Sequence, residues 1–227
     1  MTRVVVLTGA GISAESGVPT FRDADGLWQG HRVEDVATPA AFDRQPALVH
    51  RFYDARRAAL AVVVPNAAHR ALADLEQRLG DDLLVVTQNI DDLHERAGST
   101  RVLHMHGELL SVLCSGCGRR SRWAADLADF PPCPHCGVCE LRPDVVWFGE
   151  VPYEMDRIGA ALETADLFVS IGTSGAVYPA AGFVQHAAAY GARTLELNLE
   201  PSAGSALFDE ARHGPAGVLV PEWVAEL

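Results

Sequence analysis

Among 227 residues, no apolar run reaches the roughly 18 to 20 that a membrane helix requires. The longest candidate, Ala58 to Val64, is closed by Pro65. Positive charge is scarce as well: 18 Lys+Arg face 30 Asp+Glu, a formal net charge of −12. That balance disfavours nucleic-acid binding through phosphate neutralisation and favours a basic partner, such as a lysine-bearing protein segment. A secretory leader is not read either, because Val4 to Leu7 is the whole apolar part of the start and runs into a glycine turn, as a first buried strand does. Internal repeats and low-complexity tracts are missing beyond a general alanine richness. What is present is 48% hydrophobic residues, enough for one large domain or one with a small satellite.

Five cysteines is an odd number, and all lie between Cys114 and Cys139, which suggests a metal site in a reducing compartment more than a disulfide framework. The cytoplasm is the expected location. Short apolar runs bounded by turn residues, Val4 to Leu7, Leu83 to Thr87, Leu167 to Ile171 and Thr194 to Leu199, read as strands buried on both faces. Helix-length segments such as Ala67 to Leu79 and Ala180 to Tyr190 separate them, so the expected fold is α/β, a Rossmann-like doubly wound parallel sheet. Two stretches break that rhythm. Gln29 to Pro65 is helical in pattern with Pro39 and Pro46 as breaks, and Cys114 to Cys139 is rich in Cys, Pro, Gly and Arg. The division this suggests is 1–28, 66–110 and 140–227 for the nucleotide-binding domain, with 29–65 as a helical module and 111–139 as a zinc module.

Gly9-Ala10-Gly11-Ile12-Ser13-Ala14 follows the first strand and satisfies G-x-G-x-x-G/A, a turn whose missing side chains let a pyrophosphate approach backbone N–H groups. The ribose-binding acid that dehydrogenases place about 20 residues later has no good counterpart, since Glu34 and Asp35 lie in a helical stretch. Cys114-x-x-Cys117, fifteen residues, then Cys133-x-x-Cys136 fits the C-x₂-C-x₁₅₋₂₀-C-x₂-C zinc pattern. Four thiolates leave no open position, which makes such a zinc structural, and Cys139 competes with Cys136 for the fourth place. Thr87-Gln88-Asn89-Ile90-Asp91 and Gly172-Thr173-Ser174-Gly175 follow strands, where ligand loops of open sheets lie. Either His104 or His106 could serve as a general base. Tyr53 and Arg56, three apart on a helix, share a face and suit a carboxylate.

In this order, Gly9 to Ser13, Ser16 to Arg22, Thr87 to Asp91, His106-Gly107, the two Cys-x-x-Cys pairs, Val145-Val146-Trp147-Phe148-Gly149-Glu150 and Gly172-Thr173-Ser174 resemble the sirtuins, NAD-dependent protein-lysine deacylases, over essentially the whole chain. Ala37-Thr38-Pro39 with Tyr53 and Arg56 resembles the class III branch and its bacterial members, which implies desuccinylase and demalonylase activity beside deacetylase activity. The resemblance implies His106 as general base, with Asn89 and Asp91 in the catalytic set. It implies NAD contacts from Gly9, Ala10, Gly11, Ser13, Glu15, Phe21, Arg22, Trp28, Gln88, Asn89, Ile90 and Asp91. Gly172, Thr173, Ser174, Asn198, Leu199, Glu200 and Ala216 would line the adenosine end. Ala37 would leave room for an enlarged acyl group whose carboxylate Tyr53 and Arg56 read, while Val146, Phe148 and Gly149 pair with the substrate backbone. One structural zinc on Cys114, Cys117, Cys133 and Cys136 completes the implied site.

In that family NAD is consumed: nicotinamide leaves, a ribose hydroxyl takes the acyl group, and water releases free lysine and O-acyl-ADP-ribose. Phe21 is suited to keep water from the reacting ribose. Two other readings stand beside this one, an NAD-linked oxidoreductase with a structural zinc and a non-catalytic ADP-ribose or protein-binding module. The missing ribose acid argues against the first, and an intact His106, Asn89 and Asp91 against the second. The expected partners are acylated-lysine proteins or peptides, with neither nucleic acid nor membrane, and the expected state is a monomer.

Overall fold

Alternation along the first strand divides the fold into two layers. A computed structural model of the chain describes residues 2–20, 28 and 30–227. In chain order its elements begin with β1 (Val4–Thr8), α1 (Ala10–Ala14), α2 (Val33–Val36), α3 (Pro39–Arg44), α4 (Pro46–Leu60), α5 (Ala67–Leu79), β2 (Leu83–Thr87), α6 (Leu93–Ala97) and β3 (Val102–His104). They continue with β4 (Gly107–Cys114), β5 (Arg120–Arg122), β6 (Leu141–Val145), α7 (Met155–Glu163), β7 (Leu167–Ile171), α8 (Phe183–Ala189), β8 (Arg193–Asn198), β9 (Glu210–His213) and α9 (Ala216–Glu226). In β1, Val4 and Val6 face one way, packing with Leu72 and Leu75 of α5 and Trp223 of α9. Val5 and Leu7 face the other, against Ile158 and Leu162 of α7 and Phe183 of α8.

Six strands in the order β3-β2-β1-β7-β8-β9 pair in parallel throughout, as the apolar runs predict. Both edge strands, β3 and β9, lie outside the runs read as strands; each has only three or four residues, and β9 carries Glu210, Arg212 and His213 instead of an apolar run. The helix Ala67–Leu79 has its expected bounds, whereas Ala180 to Tyr190 contains a short turn before α8, and the fourth strand begins at Arg193 and ends at Asn198.

The two irregular stretches fold against each other. Pro39 and Pro46 do not interrupt a helix but start α3 and α4, since a first-turn position needs no N–H donor. Strands β5-β4-β6 form a separate antiparallel sheet that runs from Gly107 to Val145, so its pairing takes in residues on both sides of 111–139. A buried ion pair joins the modules: Arg57 Nη1 lies 2.5 Å from Asp54 Oδ1, Arg57 Nε donates to Leu109 O, and Asp54 accepts from the N–H groups of Leu127 and Ala128. Among the described residues, no helix is long and apolar enough to cross a membrane.

Candidate active site at the reversal of strand order

Strand order reverses between β1 and β7, so the loops after them leave in opposite directions and open a crevice at their carboxyl ends. The glycine turn occupies that place. Gly9 N–H donates to Ile171 O (3.0 Å) and Gly11 N–H to Gly172 O (2.8 Å). A Cβ on Gly11 would stand 2.7 Å from the Gly172 Cα, and Gly172 has φ +63°. Glycine on both sides therefore permits chain-to-chain approach as well as room for a ligand at the start of α1.

Beneath the turn lies a buried polar cluster. Asn89 Nδ2 donates to Gly9 O and to Ser13 Oγ, each at 3.1 Å, and Ser13 Oγ donates to Asp91 Oδ2 at 3.0 Å. Burial pushes the Asp91 carboxyl above its ordinary range, against the lowering effect of the Leu93 N–H and the Ser13 hydroxyl. Thr8 Oγ1 donates to Thr87 Oγ1, which also accepts the Asn89 N–H. His94 Nε2 lies 3.0 Å from Thr8 Oγ1, and His69 Nε2 lies 3.4 Å from Ser13 Oγ. Spacing did not reveal Thr8, His69 or His94, which are brought to the cluster from three separate elements. Gln88 Nε2 is buried and has no partner among the described residues, a donor suited to a ribose hydroxyl.

Geometry separates the two candidate histidines. His104 uses both ring nitrogens, Nδ1 at 3.1 Å from Asn89 O and Nε2 at 2.8 Å from Glu95 Oε1. His106 Nδ1 lies 3.0 Å from Gln88 O, and no described residue bonds its Nε2. Burial lowers the His106 pKa, partly offset by the Gln88 carbonyl. A neutral ring with Nδ1–H on Gln88 leaves the Nε2 lone pair free, the form a general base needs.

On the β8 side of the crevice, Asn198 Nδ2 donates to Thr173 O (2.9 Å) and Asn198 Oδ1 accepts Leu199 N–H, which fixes the loop after β8 against the loop after β7. Ser174, Leu199 and Glu200 are exposed there. Glu15 Oε1 accepts the Gly217 N–H in the first turn of α9, beside Ala216. Phe21 and Arg22 lie outside the described residues.

On the small-module side, Tyr53 is fully buried and its hydroxyl accepts the Trp147 Nε1–H at 3.0 Å. Arg56 does not extend into solvent: its guanidinium stacks over Phe52 (3.0 Å) and near Trp28 (4.9 Å), and Nη1 donates to Phe52 O. Arg56 Nε and Nη2 are buried without a partner among the described residues. Burial pulls the Arg56 pKa down to about 10, so the group is still a cation at neutral pH. Ala37 is buried and its carbonyl accepts the Phe148 N–H, while Val146 N–H donates to His106 O. Of Val145 to Glu150 only Val145 belongs to a strand of the chain itself, and Phe148 and Gly149 are exposed.

The sulfurs of Cys114, Cys117, Cys133 and Cys136 lie within 4.8 Å of one another, with Cys114 to Cys136 at 3.7 Å and Cys117 to Cys133 at 3.8 Å. A tetrahedron with zinc–sulfur bonds of about 2.3 Å has edges of about 3.8 Å, so the donor set fits zinc. Cys139 is exposed and outside this group.

The chain is 60% identical over 228 residues to an NAD-dependent protein deacylase of Escherichia coli (strain K12), covering 99% of this chain and 82% of the relative. A solved Sir2 homolog–NAD complex superposes with a TM-score of 0.90 at 41% identity, covering 99% of this chain and 88% of that one. A Sir2 variant with a deacetylated p53 peptide and 3′-O-acetyl ADP-ribose superposes at 0.86 and 28% identity, covering 99% and 93%. The Sir2 family profile matches residues 9–179, and the chain belongs to that family.

Proposed function

We propose that this chain is an NAD-dependent protein-lysine deacylase that removes succinyl and malonyl groups as well as acetyl. The observation that carries the acyl reading is Arg56, a half-buried cation whose buried Nε and Nη2 lack acceptors among the described residues, three residues from Tyr53 on one face of α4. A carboxylate satisfies both nitrogens at once, and a methyl group satisfies neither.

In this reading NAD supplies the departing nicotinamide and the ribose that takes the acyl group. His106 takes the proton of a ribose hydroxyl at Nε2, with the tautomer set by Nδ1–H on Gln88 O. Asn89 and Asp91, fixed through Ser13, hold the ribose and the nicotinamide amide. Gly9, Ala10 and Gly11 present backbone to the phosphates, with Glu15 and Trp28 flanking and Gln88 and Ile90 on the ribose side. Gly172, Thr173, Ser174, Asn198, Leu199, Glu200 and Ala216 receive the adenosine. The peptide lies along Val146, Phe148 and Gly149. Zinc on Cys114, Cys117, Cys133 and Cys136 holds the small sheet together and takes no part in the chemistry. The acidic composition supports basic protein segments as partners, with a cytoplasmic monomer acting on them and neither nucleic acid nor membrane engaged.

Product analysis with a succinyl-lysine peptide and NAD tests this. Free nicotinamide and O-succinyl-ADP-ribose are expected. NADH would point to an oxidoreductase, and ADP-ribose bound without turnover to a binding module.

A further inference from the structure

A phenol oxygen can accept and donate, whereas an indole N–H only donates, so the 3.0 Å contact between Trp147 Nε1 and the Tyr53 hydroxyl has one possible direction. Tyr53 accepts there and must send its own proton elsewhere. Among the described residues no acceptor takes that proton, and burial keeps the phenol protonated. Tyr53 O–H therefore joins Arg56 Nε–H and Nη2–H as buried donors without an acceptor. Leaving such groups unmet is unfavourable, and an anion relieves it.

The indole is itself immobilised. Arg142 lies 3.6 Å over its ring, and Glu150 grips Arg142 at 2.7 and 2.9 Å. Glu150 Oε2 also accepts the Trp147 backbone N–H at 2.8 Å. Phe42 packs against the ring at 5.3 Å. We infer that Trp147 is a positioning residue for acyl selectivity: its indole N–H occupies one side of the Tyr53 oxygen and so directs the Tyr53 proton toward the carboxylate end of the acyl chain. This rests on the reading of Tyr53 and Arg56 as carboxylate partners.

The test compares wild type, Trp147→Phe, Tyr53→Phe, the double variant and Arg56→Met on succinyl- and acetyl-lysine forms of one peptide. Trp147→Phe is expected to lower the succinyl-to-acetyl ratio of kcat/KM about fivefold, the worth of one neutral hydrogen bond, through KM for the succinyl peptide. In the Tyr53→Phe background the same change is expected to leave that ratio where it was, because the hydroxyl it acts through is gone. Replacing Trp147 by 3-benzothienylalanine, which keeps the ring outline and deletes only the N–H, must reproduce the fivefold fall if Trp147→Phe folds poorly. Equal losses on both acyl groups, or an undiminished effect without the Tyr53 hydroxyl, overturn the inference. An Arg56→Met variant that fails to distinguish the acyl groups overturns the underlying reading instead.

Discussion

Arg56→Met separates a ligand-binding cation from a structural one, because the structure assigns opposite signs to its effects on activity and on stability. Two guanidinium nitrogens have no acceptor among the described residues. Hydrogen bonds involving a charged group are worth roughly 1.5–3 kcal/mol each, and Arg56 is only partly buried, so the pair is taken at its lower end, about 3 kcal/mol. At 1.4 kcal/mol per tenfold, kcat/KM on a succinyl-lysine peptide should fall about a hundredfold. The acetyl peptide presents a methyl group to the same place and should change by no more than about threefold, by the same arithmetic.

Stability of the ligand-free protein should move the other way. Unmet buried donors disfavour the folded state by roughly 1–3 kcal/mol, while the stacking of Arg56 on Phe52 returns about 1 kcal/mol. Met keeps the apolar stem, so a gain of about 1 kcal/mol, or a Tm rise of about 2–4 °C, is expected. Nicotinamide release at saturating NAD measures the first effect and thermal unfolding the second. Equal losses on both acyl groups accompanied by a lower Tm would refute the reasoning and make Arg56 a structural arginine.

His106→Ala should abolish turnover on every acyl group, and near-normal activity would remove it from the role of base. Burial lowers its pKa, so the neutral ring persists to lower pH and the acid limb of kcat/KM should have its midpoint below 6.5; a midpoint above that contradicts the Nε2 assignment. Metal analysis should find one zinc per chain in Cys139→Ser and a deficit in Cys136→Ser, with chelation unfolding the small sheet and activity falling with it; an active metal-free protein overturns this. Stability should also fall in acid. Burial lowers the folded pKa of both His69 and His94, so the unfolded chain binds more protons; their contribution is complete above pH 6.5 and is lost as pH falls below it, for His69 down to about 4. The gap for His69 corresponds to about 3 kcal/mol, opposed in part by the raised Asp91 and His104, and a urea midpoint unchanged between pH 7 and 4.5 would contradict it.

The parallel sheet was legible because its central strands are apolar on both faces, and the runs at Val4, Leu83 and Leu167 have no other use. The edges were not, since β3 and β9 need apolar residues only where they touch a neighbour. Asn89 and Asp91 could be read from their place after a strand, and the cysteines from their spacing. Choosing His106 over His104 on chemistry alone needed coordinates, because the difference lies in Glu95 occupying one ring and not the other. Trp147 shows another limit. Its neighbours Val146 and Phe148 were assigned to the substrate, yet the indole turns inward to a tyrosine 94 residues away in sequence, a pairing no local pattern encodes.

The small sheet explains how a metal that does no chemistry bears on the reaction. Cys114 ends β4 and His106 immediately precedes that strand; Leu141, paired with Cys114, begins β6, and Trp147 lies just past its end. The proposed base and the acyl wall therefore hang from the far ends of two strands whose near ends meet at the four sulfurs. The junction is narrow. Gly107 has φ +81°, and a Cβ there would fall 2.0 Å from the Asp144 carbonyl, while Val146 N–H holds His106 O at 2.8 Å across the same gap. Only glycine lets β4 and β6 close beside His106. Zinc at one end and Gly107 at the other would thus fix one pair of strands, and through it the distance between the proposed base, His106, and the side chains proposed to read the acyl group.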